Sequence, residues 1–479
     1  MNTEEALLTG AVDYENYDTI TQDIDNKEVE ITTSSELKTI TKSSIPLVFT
    51  FFMQYFLSVT SIYAAGKLGA KELAACSLAV CTFNITGLAT FRGMATSLDT
   101  FCSQAFGSGN KTMVGVYFQR CSLMILTITI PLIIIWFNSE AILVKLVPDP
   151  ELAKMAATFL KIHTIGAPGL IFFETGKRFL QAQHIFEAGT YVLVIVAPVN
   201  FILNWILVWH PRLGLGYIGL PIAISITYWL ISLFMLGYVV FINGKQCWGG
   251  LDIASATRNW KPMLSLAIPG VIMVIAEFLA FEVLTILAAS FGTESLAAQS
   301  IVSNVAALFF QMPFAVAVVL STRIGHFVGN ENIRGAKINT NLFCLLGGLL
   351  GLFNFSVMFF GRTGLSKLFT QDPKVLESSK ALLTLAAINQ IGDAFNVIAT
   401  GVLRGQGRQQ IGSILYMTSY YLIALPLGYI FAFPMGLHLN GLWLGLMSGV
   451  GFLAISCGIV AYWGDWEKIL RDSKGIHDD

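Results

Sequence analysis

The chain repeats itself at a fixed offset of 223 residues. Pro46 recurs as Pro269, Gly69 as Gly292, Leu73-Ala74-Ala75 as Leu296-Ala297-Ala298, Ser77 as Ser300, Gly169 as Gly392, Leu180 as Leu403, Gln183 as Gln406 and Gly189 as Gly412. Each copy contains six long apolar stretches. An even number returns the chain to the side it started from, so the two copies run parallel through a bilayer. The pattern predicts an all-α membrane protein, with twelve transmembrane helices in two six-helix lobes related by a parallel internal repeat and flanking a central cleft.

Composition leaves little room for another class. The chain is 54% hydrophobic and only 12% charged, with a mean hydropathy of +0.67, whereas soluble domains carry about a quarter charged residues. The net charge of −1 hides two opposed regions. Residues 1–40 hold ten acidic residues against Lys27 and Lys38, and the remainder is basic. Residues 1–41 therefore read as a disordered, acidic, cytoplasmic tail with no signal peptide. The seven cysteines show no spaced framework and read as small core residues.

A helix needs about 20 mainly apolar residues to cross the hydrocarbon core. Windows centre on 44–65, 74–101, 116–138, 152–175, 188–209 and 217–242, then on 263–290, 296–322, 338–361, 378–402, 411–433 and 440–463. The lobes are thus 42–242 and 263–463, joined by a cytoplasmic linker at 243–262 and followed by a cytoplasmic tail at 464–479. With the amino terminus inside, sixteen Lys and Arg residues, Arg120, Lys177, Arg178 and Arg404 among them, fall on the cytoplasmic side against nine outside. That bias favours cytoplasmic termini.

Ionisable groups inside spans are expensive and point to function. Arg92, Asp99, Lys161, Glu174, Glu277, Glu282 and Asp393 fall there. The repeat places Gln54 opposite Glu277 and Leu170 opposite Asp393, so only the second copy holds acids at these positions. A carboxyl in a low-dielectric bundle can load and release a proton near neutral pH. Glu277, Asp393 and Glu282 are accordingly expected to couple protons, although Glu277 and Glu282 lie about 140° apart around a helix. Arg92 can meet an anionic group, repel a cation, or simply pair with a neighbouring helix. It lies seven residues before Asp99, too far along the axis to pair with it directly. Asp99 lies near a predicted cytoplasmic end, suited to a gate or a structural contact. Gln54, Asn84, Asn200 and Asn304 are candidates to line an aqueous cleft, or to serve as interhelical hydrogen-bond glue.

The stretch Leu98-Asp99-Thr100-Phe101-Cys102-Ser103-Gln104-Ala105-Phe106-Gly107 resembles the signature of eukaryotic multidrug and toxic compound extrusion (MATE) transporters. Gly66-Lys67-Leu68-Gly69, Gln119-Arg120 and Val402-Leu403-Arg404-Gly405-Gln406-Gly407 add to the likeness, in order across both halves. The resemblance implies alternating access and cation-coupled export of organic substrates, usually driven by protons, with the carboxylates Glu277, Glu282 and Asp393 in the second lobe. It also implies polar cleft positions at Gln54 and Asn84, and places Gln104 and Arg404 within motifs at the expected cytoplasmic gate. Two positions depart from the pattern. Asn304 stands where mammalian-type members carry a Glu, and Arg92 where a neutral residue is usual.

The leading reading is a proton-coupled antiporter that exports small organic cations, drugs or metabolites from the cytosol across the plasma or vacuolar membrane. Sodium coupling and a lipid flippase of the same fold are the alternatives. The chain is expected to act as a monomer in the lipid bilayer, with no cofactor, metal or nucleic acid. Six scattered histidines with no Asp-rich motif argue against a membrane-embedded enzyme.

Overall fold

The computed structural model describes residues 31–146 and 149–477. Among them every regular element is helical, and twelve helices are long and apolar enough to cross a membrane. They are α1 Thr33–Leu68, α2 Ala70–Gly107, α3 Lys111–Phe137, α4 Pro150–Ala182, α5 Ala188–Trp209 and α6 Gly216–Phe241 in the first lobe. The second lobe holds α7 Trp260–Ala289, α8 Thr293–Gly329, α9 Ile333–Phe369, α10 Pro373–Gly405, α11 Gln409–Ala432 and α12 His438–Tyr462. A further helix, α13 Trp466–His477, follows. The end of the bundle where α1 begins is called here the terminal end, and the opposite end the distal end.

Without water in the hydrocarbon core, each backbone group must be satisfied within the helix, and the sequence marks the helix starts accordingly. Asp149 and Asp372, one repeat apart, each cap a helix whose first residue is proline. The Asp149 carboxylate accepts from the Glu151 amide at 2.9 Å and the Asp372 carboxylate from the Lys374 amide at 2.8 Å. Inside α1, the Pro46 carbonyl accepts from the hydroxyls of Thr50 and Thr190, at 3.0 and 2.6 Å. The spans are not uniformly α-helical. Asn84–Leu88 in α2, Trp205–Trp209 in α5 and Thr418–Ala424 in α11 are π-helical, a local widening that re-aims the side chains around it.

Several boundaries differ from those expected. The part of the acidic tail that is described is not loose: α1 starts at Thr33, where Thr32 and Ser35 form a capping box. Glu36 is buried against Arg323 of α8 and Asn339 of α9, at 2.5–3.0 Å. Residues 1–30 of that tail lie outside the described residues. The linker ends at Asn259 and contains a short helix, Ile253–Ala256. The carboxy-terminal segment forms α13, which packs Trp466 and Ile469 on the second lobe's core and Ile476 on the first's. The spans also run past their apolar windows, and at the end of α4 the added turns hold Lys177 and Arg178, which pair with Glu174 and Asp99 rather than marking a loop.

Two hydrophobic cores form, one per lobe, and each contains part of the other lobe's first helix. Ile40, Leu47 and Phe51 of α1 belong to the core of the second lobe. Met263, Leu266 and Ala267 of α7 belong to the core of the first.

At the terminal end the lobes meet along a seam of α2 against α7 and α8. The backbones approach too closely for side chains. A Cβ on Gly329 would lie 2.0 Å from the Gln104 carbonyl oxygen, and one on Gly107 2.1 Å from that of His326. Polar contacts complete the seal. The Thr100 hydroxyl donates to the Arg404 carbonyl at 2.6 Å, Gln104 Nε2 to the Gly405 carbonyl at 3.3 Å, and Gln409 Nε2 to the Thr100 hydroxyl at 3.0 Å. Gln104 Oε1 accepts from Ser473 of α13 at 2.9 Å, so the last helix lies across the seam.

Candidate functional site

The first lobe holds a buried charge cluster built on α4. Glu174, Lys177 and Arg178 stand at i, i+3 and i+4 and so share one face of the helix. Glu174 is 1% exposed. Its Oε1 accepts from Gln54 Nε2 at 2.9 Å and from Arg92 Nε at 3.4 Å. Its Oε2 faces Lys177 Nζ at 3.0 Å and Arg178 Nη1 at 3.4 Å. Lys177 also donates to Gln54 Oε1 at 3.1 Å and sits over the Phe173 ring. The cluster continues to the seam, where Asp99 lies 3.1 Å from Arg178 and 3.5 Å from Arg404. Gln54 stands where the repeat puts Glu277, and the reason is now physical: it bridges Glu174 and Lys177 with its two amide ends.

Lys177, Arg178, Arg404 and Arg120 are therefore not loop residues. All four are buried, which removes them from the charge count that favoured cytoplasmic termini. Sequence reasoning ended the fourth span at residue 175 because charges follow it. Their i, i+3, i+4 spacing was the available sign that they pair within the bundle. Lys161 lies outside this cluster and meets Glu140 at 3.8 Å.

Above the cluster, away from the seam, a cavity with about 680 Å³ of free space, its mouth included, opens within the first lobe. Gln54, Asn84, Arg92 and Asn200 all line it, and so do His163 and Tyr228. Asn200 donates to the Thr227 hydroxyl at 2.7 Å, and Asn84 begins the π-helical turn of α2. Asn304 is elsewhere. It is exposed on α8 and accepts a hydrogen bond from the Tyr55 hydroxyl at 3.0 Å, across the gap between the lobes.

The second lobe brings Glu277 of α7 and Asp393 of α10 close enough for their charges to interact. Tyr416 and Tyr420 of α11, which sequence reasoning missed, are buried beside them, and Tyr420 feels both carboxylates. Tyr416 accepts from Asn396 Nδ2 at 3.2 Å. Neither carboxylate makes a hydrogen bond or ion pair with another described residue. The contrast with Glu174 and Asp99 is complete: the first lobe's acids are neutralised by fixed cations and the second lobe's are not. Glu282 does not join the pair. It meets the Cys81 thiol of α2 across the cleft.

At the terminal end, outside the spans, His184 faces His326 of the other lobe with ring centroids 5.1 Å apart. Burial, with His326 and Arg323 nearby, pushes the His184 imidazole down to about 3. Its Nε2 and His326 Nδ1 are both buried without a hydrogen-bond partner.

Two six-helix lobes with a sealed end, a polar cavity in one and an unpaired carboxylate couple in the other define a membrane transporter. The chain belongs to the MatE family, whose profile matches residues 46–206 and 269–430, one stretch in each lobe. An uncharacterized transporter of Saccharomyces cerevisiae is 40% identical over 94% of this chain, which spans 66% of that relative's length. Protein DETOXIFICATION 16 of Arabidopsis thaliana is 30% identical over 88% of this chain and 87% of its own. Multidrug and toxin extrusion protein 2 of Oryctolagus cuniculus is 30% identical over 90% of this chain and 71% of its own. Among solved structures, the eukaryotic MATE transporter AtDTX14 matches with a TM-score of 0.86 and 25% identity, over 92% of this chain and 99% of that one.

Proposed function

We propose that this transporter is a proton-coupled antiporter that exports small organic solutes from the cytosol by alternating access. The observation that carries the reading is the unpaired Glu277–Asp393 couple. Two adjacent carboxylates without a fixed cation interact strongly when both are charged, so they titrate as a unit, and protonation relieves the repulsion between α7 and α10. A proton taken up there biases the packing of the second lobe, and through the shared cores the angle between lobes. Both termini lie on the cytoplasmic face in this reading, which makes the sealed terminal end the closed cytoplasmic gate, with Asp99, Gln104 and Arg404 as its polar contacts. The names of the relatives, detoxification and multidrug extrusion, support an exporter. The membrane is the plasma or vacuolar membrane.

The test is gradient-driven uptake of a panel of fluorescent organic solutes into proteoliposomes, with a pH or a sodium gradient imposed separately. Wild-type protein should respond to the pH gradient and lose the response in Glu277→Gln, whose amide keeps the shape but cannot exchange a proton. Uptake driven by sodium alone, or normal pH-driven uptake by a well-folded Glu277→Gln, would defeat the proposal.

A further inference from the structure

The charge balance of the first lobe does not suit a cation. Four cations, Arg92, Lys177, Arg178 and Arg404, are arranged around only two carboxylates, Glu174 and Asp99, so the connected cluster carries an excess of positive charge. A buried excess of this kind is costly unless an anion completes it. Three of the four cations are buried, and both Lys177 and Arg178 already contact Glu174. Arg92 differs. Its side chain is 35% exposed, it lines the cavity, and among the described residues it is held only through Nε, by Glu174 at 3.4 Å. Its two terminal nitrogens are thus left to make a paired contact with an anionic group.

A second, independent feature lies at the same cavity. His163 is 3% exposed, lines the cavity, and its Nδ1 has no hydrogen-bond partner. Asn84 adds a neutral polar group beside them, and Phe83, Phe173 and Tyr228 supply apolar and aromatic walls.

We infer that the first-lobe cavity is a binding site for a small aromatic or amphiphilic organic anion, a carboxylate or sulfonate, whose charged group is taken by Arg92 and whose body lies against Phe83, Phe173 and Tyr228. The inference deepens the transport reading and rests on it for the anion being cargo. It sets aside, for this cavity, the organic cation that the family resemblance implies.

The experiment uses matched probes, naphthalene-1-sulfonate and the similarly sized cation 1-naphthylmethylammonium. Equilibrium binding to the full-length protein in lipid nanodiscs, without any gradient, is followed by probe fluorescence. Wild-type protein should bind the sulfonate at least about tenfold more tightly than the ammonium, the size of one charge-assisted contact. Arg92→Gln should remove that preference, and Arg92→Lys should keep much of it. Stronger binding of the ammonium, or sulfonate binding that Arg92→Gln leaves unchanged, overturns the site. If Arg92→Gln does not fold, the wild-type preference together with displacement of the bound sulfonate by excess benzoate decides the matter, and sulfonate binding that benzoate leaves unchanged overturns the site. Uptake into proteoliposomes is the separate arm. Selective sulfonate binding without gradient-driven uptake of the sulfonate supports the site while removing the anion as cargo. Uptake of the cation without sulfonate binding overturns the site and leaves that reading intact.

Discussion

Replacing Glu174 by glutamine should destabilise the protein more than removing any one of the cations around it. The carboxylate faces Lys177 at 3.0 Å and Arg92 and Arg178 at 3.4 Å. One such pair is worth roughly 5 kcal/mol at an effective dielectric of about 20, but most of that is offset by the cost of burying the charges. Measured losses on removing one partner of a buried pair are about 3–5 kcal/mol, because the other charge is left uncompensated. Glutamine leaves three cations with no carboxylate except Asp99, which touches only Arg178 among them. Lys177→Met removes one cation from a cluster that has too many, and Glu174 keeps its two arginines. Its cost should be nearer the value of one charge-assisted hydrogen bond, about 1.5–3 kcal/mol. The double variant should be less destabilised than the sum of the two singles, with a coupling of about 1 kcal/mol or more. Chemical denaturation in detergent micelles, followed by intrinsic tryptophan fluorescence, gives the three values. A Lys177→Met protein that is less stable than Glu174→Gln would refute the argument that positive charge is in excess.

Three further outcomes follow from other parts of the molecule. Asp393→Asn should impair pH-driven uptake as strongly as Glu277→Gln, and the double variant should be no worse than either, as for one unit; additive rate losses would separate the two residues. Gly329→Val places carbon atoms where the Gln104 carbonyl stands, 2.0 Å from a Cβ, and should open the terminal seam, read as a longer distance between spin labels at Asn110 and Asn330. An unchanged distance in a folded variant speaks against the seam as the gate. His184 has its imidazole held down to about 3 by burial, so the native state resists protonation while the unfolded chain takes it up below about 6.5. Stability is therefore full above that pH and falls as pH drops from there towards 3, by about 2 kcal/mol at pH 5. His184→Asn, which tolerates the positive φ of 62° at this position, should flatten the fall in the unfolding midpoint between pH 7 and 5; an equal fall in both proteins would show that His184 does not carry it.

Most of the architecture was legible because two signals reinforced each other: twelve apolar stretches long enough to span, and a residue-by-residue repeat at one offset. The two acids Glu277 and Asp393 stood out too, since each is a mid-span carboxylate whose repeat mate, Gln54 or Leu170, carries no charge. What the sequence concealed was pairing. Lys177 and Arg178 look like the start of a loop until Glu174 and Asp99 are seen to neutralise them across two helices. The helix phase already set Glu282 apart from Glu277, but its partner, Cys81 of α2, depends on how the lobes meet. Tyr416 and Tyr420 carried no charge to draw attention, and their place beside the carboxylates depends on how α11 packs, which no local pattern encodes. The seam rests on a register between α2 and α8 that only the assembled lobes define.

The exchange of first helices between the cores bears on how the protein is made. As the chain leaves the ribosome, the first lobe is synthesised with a gap in its core, which Met263, Leu266 and Ala267 fill only once α7 has emerged. The start of α1, with Ile40, Leu47 and Phe51, has meanwhile no second lobe to lie against. Membrane insertion can proceed span by span, but neither lobe can finish packing before the other begins. The two repeats, which read as duplicates in the sequence, are thus obligate partners in biogenesis.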